Sequence, residues 1–88
     1  MTQGTIIQHQ TILSQEKTLE YFLFACPYEG KLCYSIGEIA RCGGRETFGL
    51  ASELTCDETR AISFFDAVVK GTVRPETLRE IIYELITR

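Results

Sequence analysis

The stretch TCDETRAISFFDAVVKGTVRPETLREIIYELITR, residues 55–88, decides how this chain is read. Thr55-Cys56-Asp57-Glu58 fits a capping box, with Thr55 as N-cap and Glu58 at the third helical position. Ala61, Phe64, Phe65, Val68 and Val69 then recur at helical spacing and form one apolar stripe. Lys70 suits the negative end of that helix, and Gly71 is the expected left-handed stop. Pro75 fits the first position of a second helix, where its missing N–H costs nothing. Val73 and Leu78 are placed to form a hydrophobic staple, and Leu78, Ile81, Ile82, Leu85 and Ile86 give a second stripe. Two short amphipathic helices joined by a tight corner are predicted. Helices with one apolar stripe need an apolar surface to cover.

Upstream, the chain supplies a sheet. Residues 5–13 have no 3.6-residue apolar period and read as a strand, irregular because Ile6 and Ile7 are adjacent, as are Ile12 and Leu13. After the polar turn at residues 14–17, residues 18–26 (TLEYFLFAC) read as a second strand. Pro27 closes it or lies on an open edge. Glu29-Gly30 supplies a hairpin turn into a third strand, residues 32–42. There Tyr34 and Ile36 share a face, and a bulge at Gly37 would bring Ile39 to it. Gly43-Gly44 is the clearest hairpin signal and puts Arg41 opposite Glu46. Residues 45–53 form the fourth strand, with Phe48 and Leu50 alternating against Thr47 and Gly49. The expected fold is α+β: an antiparallel meander of about four strands (5–54), then two helices (55–88) packed on one sheet face. Residues 1–88 form one domain.

Composition narrows the function classes. Nine Lys and Arg against twelve Asp and Glu give net −3. A nucleic-acid footprint needs a basic face, so no nucleic acid is expected as a partner. Residues 1–4 lack the basic start and apolar core of a signal peptide. The longest apolar run, residues 21–26, is far too short to span a bilayer. The expectation is a cytoplasmic protein with no membrane contact, whose thiols stay reduced. At 88 residues the chain buries only about 60–65% of the surface its unfolded form exposes, so its stability margin is thin. Oligomerisation is one common remedy.

The second strand points to a partner. Leu19, Tyr21 and Leu23 lie on one face, Phe22 and Phe24 on the other, and two helices cover one face only. Phe22 and Phe24 are therefore the expected interface, meeting a second copy of the chain through the open sheet face or edge, or meeting another protein.

Candidates for chemistry are few. Cys26, Cys33, Cys42 and Cys56 contain no CxxC pair, and small apolar filler is the simplest role for free cysteine. The Glu29-Gly30 turn nonetheless sets Cys26 opposite Cys33, the candidates for a thiol or metal site with one other cysteine. His9, the sole histidine, has no nucleophile motif near it, and Ser35, Ser52 and Ser63 read as structural. Gly43-Gly44 lacks the Lys-Ser/Thr of a phosphate loop. Asp57, Glu58, Asp66, Glu76, Glu80 and Glu84 read mostly as a solvated acidic face, and Tyr21, Phe22, Phe24, Phe48, Phe64 and Phe65 as core. No catalytic residue and no cofactor is expected. Ligand binding between sheet and helices is a further option.

The order of elements, with YSIGEI in the third strand and the closing VVKGTVRPETLREIIYELI, resembles a family of short uncharacterised bacterial proteins, a domain of unknown function. The resemblance covers residues 32–88 and rests on apolar spacing plus one Pro. Gly37 and the four cysteines depart from it. It implies a cytosolic sheet-plus-helices domain and transfers no site residues. The leading expectation is a small non-enzymatic interaction or regulatory module, homodimeric or bound to a protein partner.

Overall fold

Strict alternation along four strands sorts the side chains onto two faces, and the helices select one of them. The computed structural model describes residues 4–87; residues 1–3 and Arg88, part of the two terminal stretches read above, lie outside the described residues. Strands β1 (Thr5–Ser14), β2 (Lys17–Tyr28), β3 (Lys31–Cys42) and β4 (Arg45–Thr55) pair antiparallel in the order β1-β2-β3-β4. Helix α1 (Glu58–Lys70) follows, then a 3-10 turn at Pro75–Thr77 that runs into helix α2 (Leu78–Thr87). The α+β meander with two C-terminal helices on the sheet is the architecture of this chain.

The core lies between sheet and helices. Tyr21, Leu23 and Ala25 of β2, Tyr34 and Ile36 of β3 and Ala51 of β4 are buried against Ala61, Phe64, Phe65 and Val68 of α1 and Leu78 and Ile82 of α2. Each large member stabilises by about 1.5–3 kcal/mol relative to exposure. Both predicted stripes face inward, with Val69, Leu85 and Ile86 at the margin; Ile81, half-buried, lies outside the cluster. Arg79 donates from Nε to the Leu50 carbonyl at 2.9 Å, so α2 also covers part of the β4 edge.

Several local expectations are corrected. The pairing of β2 with β3 runs unbroken from Lys17↔Cys42 to Tyr28↔Lys31, so there is no bulge at Gly37. Ile39 stays on the outer face beside Phe48, and Glu38 takes the inner position. The irregularities lie elsewhere. One is at Ile7 in β1, and the other is in β4, where residues 52–54 face Ser35 alone. There Glu53 has φ 54 and its N–H donates to Ser35 Oγ at 3.0 Å. The N-cap of α1 is Asp57, whose side chain accepts from the N–H groups of Thr59 and Arg60. Thr55 is still paired with Tyr34 in the sheet and cannot serve there. At the far end Gly71 keeps a helical φ of −83 and Thr72 takes the left-handed φ of 46. The amides of Gly71, Thr72 and Val73 close back on Ala67, Val69 and Val68, which places the reversal one residue later.

The corner after α1 is seated on the sheet. A Cβ on Gly49 would lie 2.7 Å from the Pro75 carbonyl oxygen and 2.9 Å from Pro75 Cα, both backbone atoms. Tyr21, fully buried, donates its hydroxyl to the Val73 carbonyl at 2.7 Å. The expected outcome for Gly49→Ala is a loss of about 2 kcal/mol in urea unfolding, because backbone must move to admit the methyl group. Gly71→Ala, whose Cβ would meet nothing closer than 3.3 Å, is the milder comparison.

Candidate functional site

The face turned away from the helices is built in rows. Antiparallel register places Ile6, Phe24 and Ser35 in one row, and His9, Phe22, Gly37 and Leu50 in the next. Thr11, Glu20, Ile39 and Phe48 follow, then Leu13, Thr18, Arg41 and Glu46. Phe22 and Phe24 therefore share the outer face, as alternation predicts. Neither stands free. The His9 ring stacks on Phe22 at 4.6 Å between centroids, and Phe24 lies over Gly37, where a Cβ would be 3.4 Å from the ring. Exposed apolar side chains flank them: Phe48 at 66%, Ile6 at 60% and Leu50 at 45%. Phe48, read as core from sequence, is on the surface because its inward neighbours Thr47 and Gly49 hold the inner positions of an edge strand.

A charged belt crosses the lower part of this face. Arg41 donates to Glu20 and, from Nε, to Glu46 Oε2 at 2.6 Å, which realises the predicted cross-strand pair and adds a third member. His9 Nε2 lies 3.2 Å from the second Glu20 oxygen. The Arg41 guanidinium, with His9 helping and partial burial opposing, holds the Glu20 carboxyl below its usual range. The belt is internally paired.

Above the aromatic rows lies a row of cysteines. Cys26 pairs with Cys33 in the β2–β3 register, as the turn predicts. The sulfur contact, however, joins Cys33 to Cys56, with Sγ atoms 2.9 Å apart. Cys33 is buried and Cys56 exposed. The hydrogen bond with Cys56, followed by burial, pushes the Cys33 thiol up to about 11. Cys42 is exposed at the opposite end of the sheet. Among the described residues no group of three or more His, Cys, Asp or Glu is arranged to hold a metal ion, so the row offers a thiol pair.

No family model, curated protein or solved structure matches this chain. On the helix side, a cleft of about 570 Å³ opens beside the Thr72–Glu76 corner. Ile12, Leu19 and Ala40 line it, together with Lys17, Arg45 and Arg74, and none of these three cations is in an ion pair among the described residues. This is where a ligand between sheet and helices would lie. Among the described residues no helix is long and apolar enough to cross a membrane.

Sequence reading missed Glu38. Only 2% exposed, it has no hydrogen-bond partner for either carboxyl oxygen. Tyr21, its cross-strand neighbour, commits its proton to the Val73 carbonyl. Burial therefore pushes Glu38 up to about 7, with the nearby Tyr21 opposing and the charge of Glu76 adding to the rise. A carboxyl raised above its unfolded value favours folding at low pH, and that contribution disappears as pH climbs through the folded value. The difference in unfolding free energy between wild type and Glu38→Gln should therefore shift by about 2 kcal/mol in favour of the variant between pH 5 and pH 8. Parallel denaturant-derived stability curves for the two proteins would contradict this.

Proposed function

We propose that the chain is a small non-enzymatic interaction module of the cytoplasm that works as a homodimer, its outer sheet face packed on the same face of a second copy. The observation that carries the reading is the gathering of Ile6, Phe22, Phe24, Ile39, Phe48 and Leu50 on a face the helices leave open. The principal extents of 42 × 32 × 17 Å are those of a two-layer plate.

Area supports a second copy as the occupant. Four strands about 4.8 Å apart, followed over roughly ten residues of about 3.3 Å rise, give a face of about 600 Å². Two such faces bury about 1,200 Å², the lower end of stable specific interfaces. Charge permits it. A face brought against its own copy meets the same belt, and Glu20, Arg41 and Glu46 are already paired within each chain. Covering the belt then leaves no cation or carboxylate without a partner. The assembly would be two sheets about 10 Å apart with helices outside. The free edge of β1 is the less suitable surface, because the irregularity at Ile7 interrupts its ladder.

Sedimentation equilibrium at micromolar concentration should return twice the mass of the chain. Phe48→Glu, at an exposed position, should weaken the dimer by about 100-fold with the fold intact by circular dichroism. Tyr83→Glu, equally exposed on α2, should leave the mass unchanged. A wild-type monomer, or dissociation caused by the α2 substitution alone, would overturn the reading.

A further inference from the structure

The sulfur atoms of Cys33 and Cys56, 2.9 Å apart, are nearer than two sulfurs pack without a shared proton or a bond. Three features of the chain bring them there. The irregular segment 52–54 shifts β4 so that Thr55 faces Tyr34, which carries Cys56 alongside Cys33. The Ser35 hydroxyl accepts from the Glu53 N–H and holds that segment in its left-handed turn. Asp57 caps α1 directly afterwards and fixes the chain beyond Cys56. The pair is thus held by ordered backbone on both sides, with one sulfur buried and the other open to solvent.

We propose that Cys33 and Cys56 form a reversible dithiol–disulfide pair, oxidised by a small disulfide of the glutathione class that enters at Cys56. The Cys56 thiolate attacks one sulfur of the small disulfide, whose S–S bond breaks to release one thiolate and leave a mixed disulfide on Cys56. The Cys33 sulfur, losing its proton to solvent, attacks Cys56 Sγ and expels the second small thiolate. The protein gives up two electrons and two protons, and the small disulfide takes up both as two thiols. Exposure selects the order, since of the two residues Cys56 is exposed and Cys33 is buried. Capping Cys56 also removes the hydrogen bond that chiefly keeps the Cys33 thiol protonated, so the second step is prepared by the first. The bond ties the start of α1 to β3, residues separated by 23 positions, and restrains the junction where the helical pair leaves the sheet. Cys26, opposite Cys33 in register, lies toward β1 rather than toward Cys56, its sulfur 3.0 Å from where a Cβ on Gly4 would be. It takes no part.

The test is to equilibrate the full chain in glutathione buffers of increasing disulfide content, quench with acid and map the linkages by mass spectrometry. The expected result is a single internal disulfide between Cys33 and Cys56, reversed by excess reduced glutathione. The oxidised form should melt roughly 10 °C higher. Cys33→Ala should stop at a glutathione adduct on Cys56, and Cys56→Ala should leave Cys33 unmodified. Peptide mapping of the native chain decides the matter even where a variant folds poorly. A Cys26–Cys33 linkage, a stable glutathione adduct on native Cys56, or an intermolecular disulfide through Cys33 or Cys56 would each overturn the proposal. Because the linkage is read on peptides, the result does not depend on whether the chain is a dimer.

Discussion

Four strands of 10, 12, 12 and 11 residues offer two broad faces, and the helices that follow are long enough for one. Strand β2 is apolar on both sides, so helix packing satisfies half of its side chains and leaves the other half exposed or half-covered. Everything else about the molecule is a response to that imbalance. On the inner side, Tyr21, Leu23, Ile36, Val68, Leu78 and Ile82 are almost fully removed from water. On the outer side, His9 stacks on Phe22 and Phe24 leans over Gly37, which hides part of each ring without closing the face. Neighbours within one sheet cannot supply the area that a second layer would.

The inner side carries its own cost. Seating the Pro75 corner on Gly49 brings the helical pair close to β4, and Tyr21 anchors it through the Val73 carbonyl. Glu38 lies beneath this arrangement with neither oxygen satisfied. A carboxylate there opposes the packing that encloses it, so the chain holds its helices down most firmly when Glu38 is protonated. In a domain of this size, one unpartnered acid is a large fraction of the margin.

Much of the fold was legible because it rests on local patterns. The stripes at Ala61–Val69 and Leu78–Ile86 spacing, the Gly43-Gly44 turn and the split of β2 into two faces each follow from periodicity or positive φ. The misplaced details depend on contacts between distant segments. Thr55 resembles an N-cap in isolation, but its pairing with Tyr34 keeps it in the sheet and passes the role to Asp57. Ile39 reaches the core only through a bulge, whereas plain alternation puts Glu38 inward and Ile39 outward. The Cys26–Cys33 register was readable from one turn. The Cys33–Cys56 contact was not, since it depends on a three-residue irregularity that no turn signal announces.

Whether the outer face meets a second copy can be observed directly. A sample mixed from isotope-labelled and unlabelled full-length chain, studied by isotope-filtered NMR, reports only contacts between copies. A dimer packed through this face gives intermolecular signals linking the rings of Phe22, Phe24 and Phe48 with the methyl groups of Ile6, Ile39 and Leu50. Intermolecular signals confined to the helices or to the β1 edge, or none at all, would contradict it.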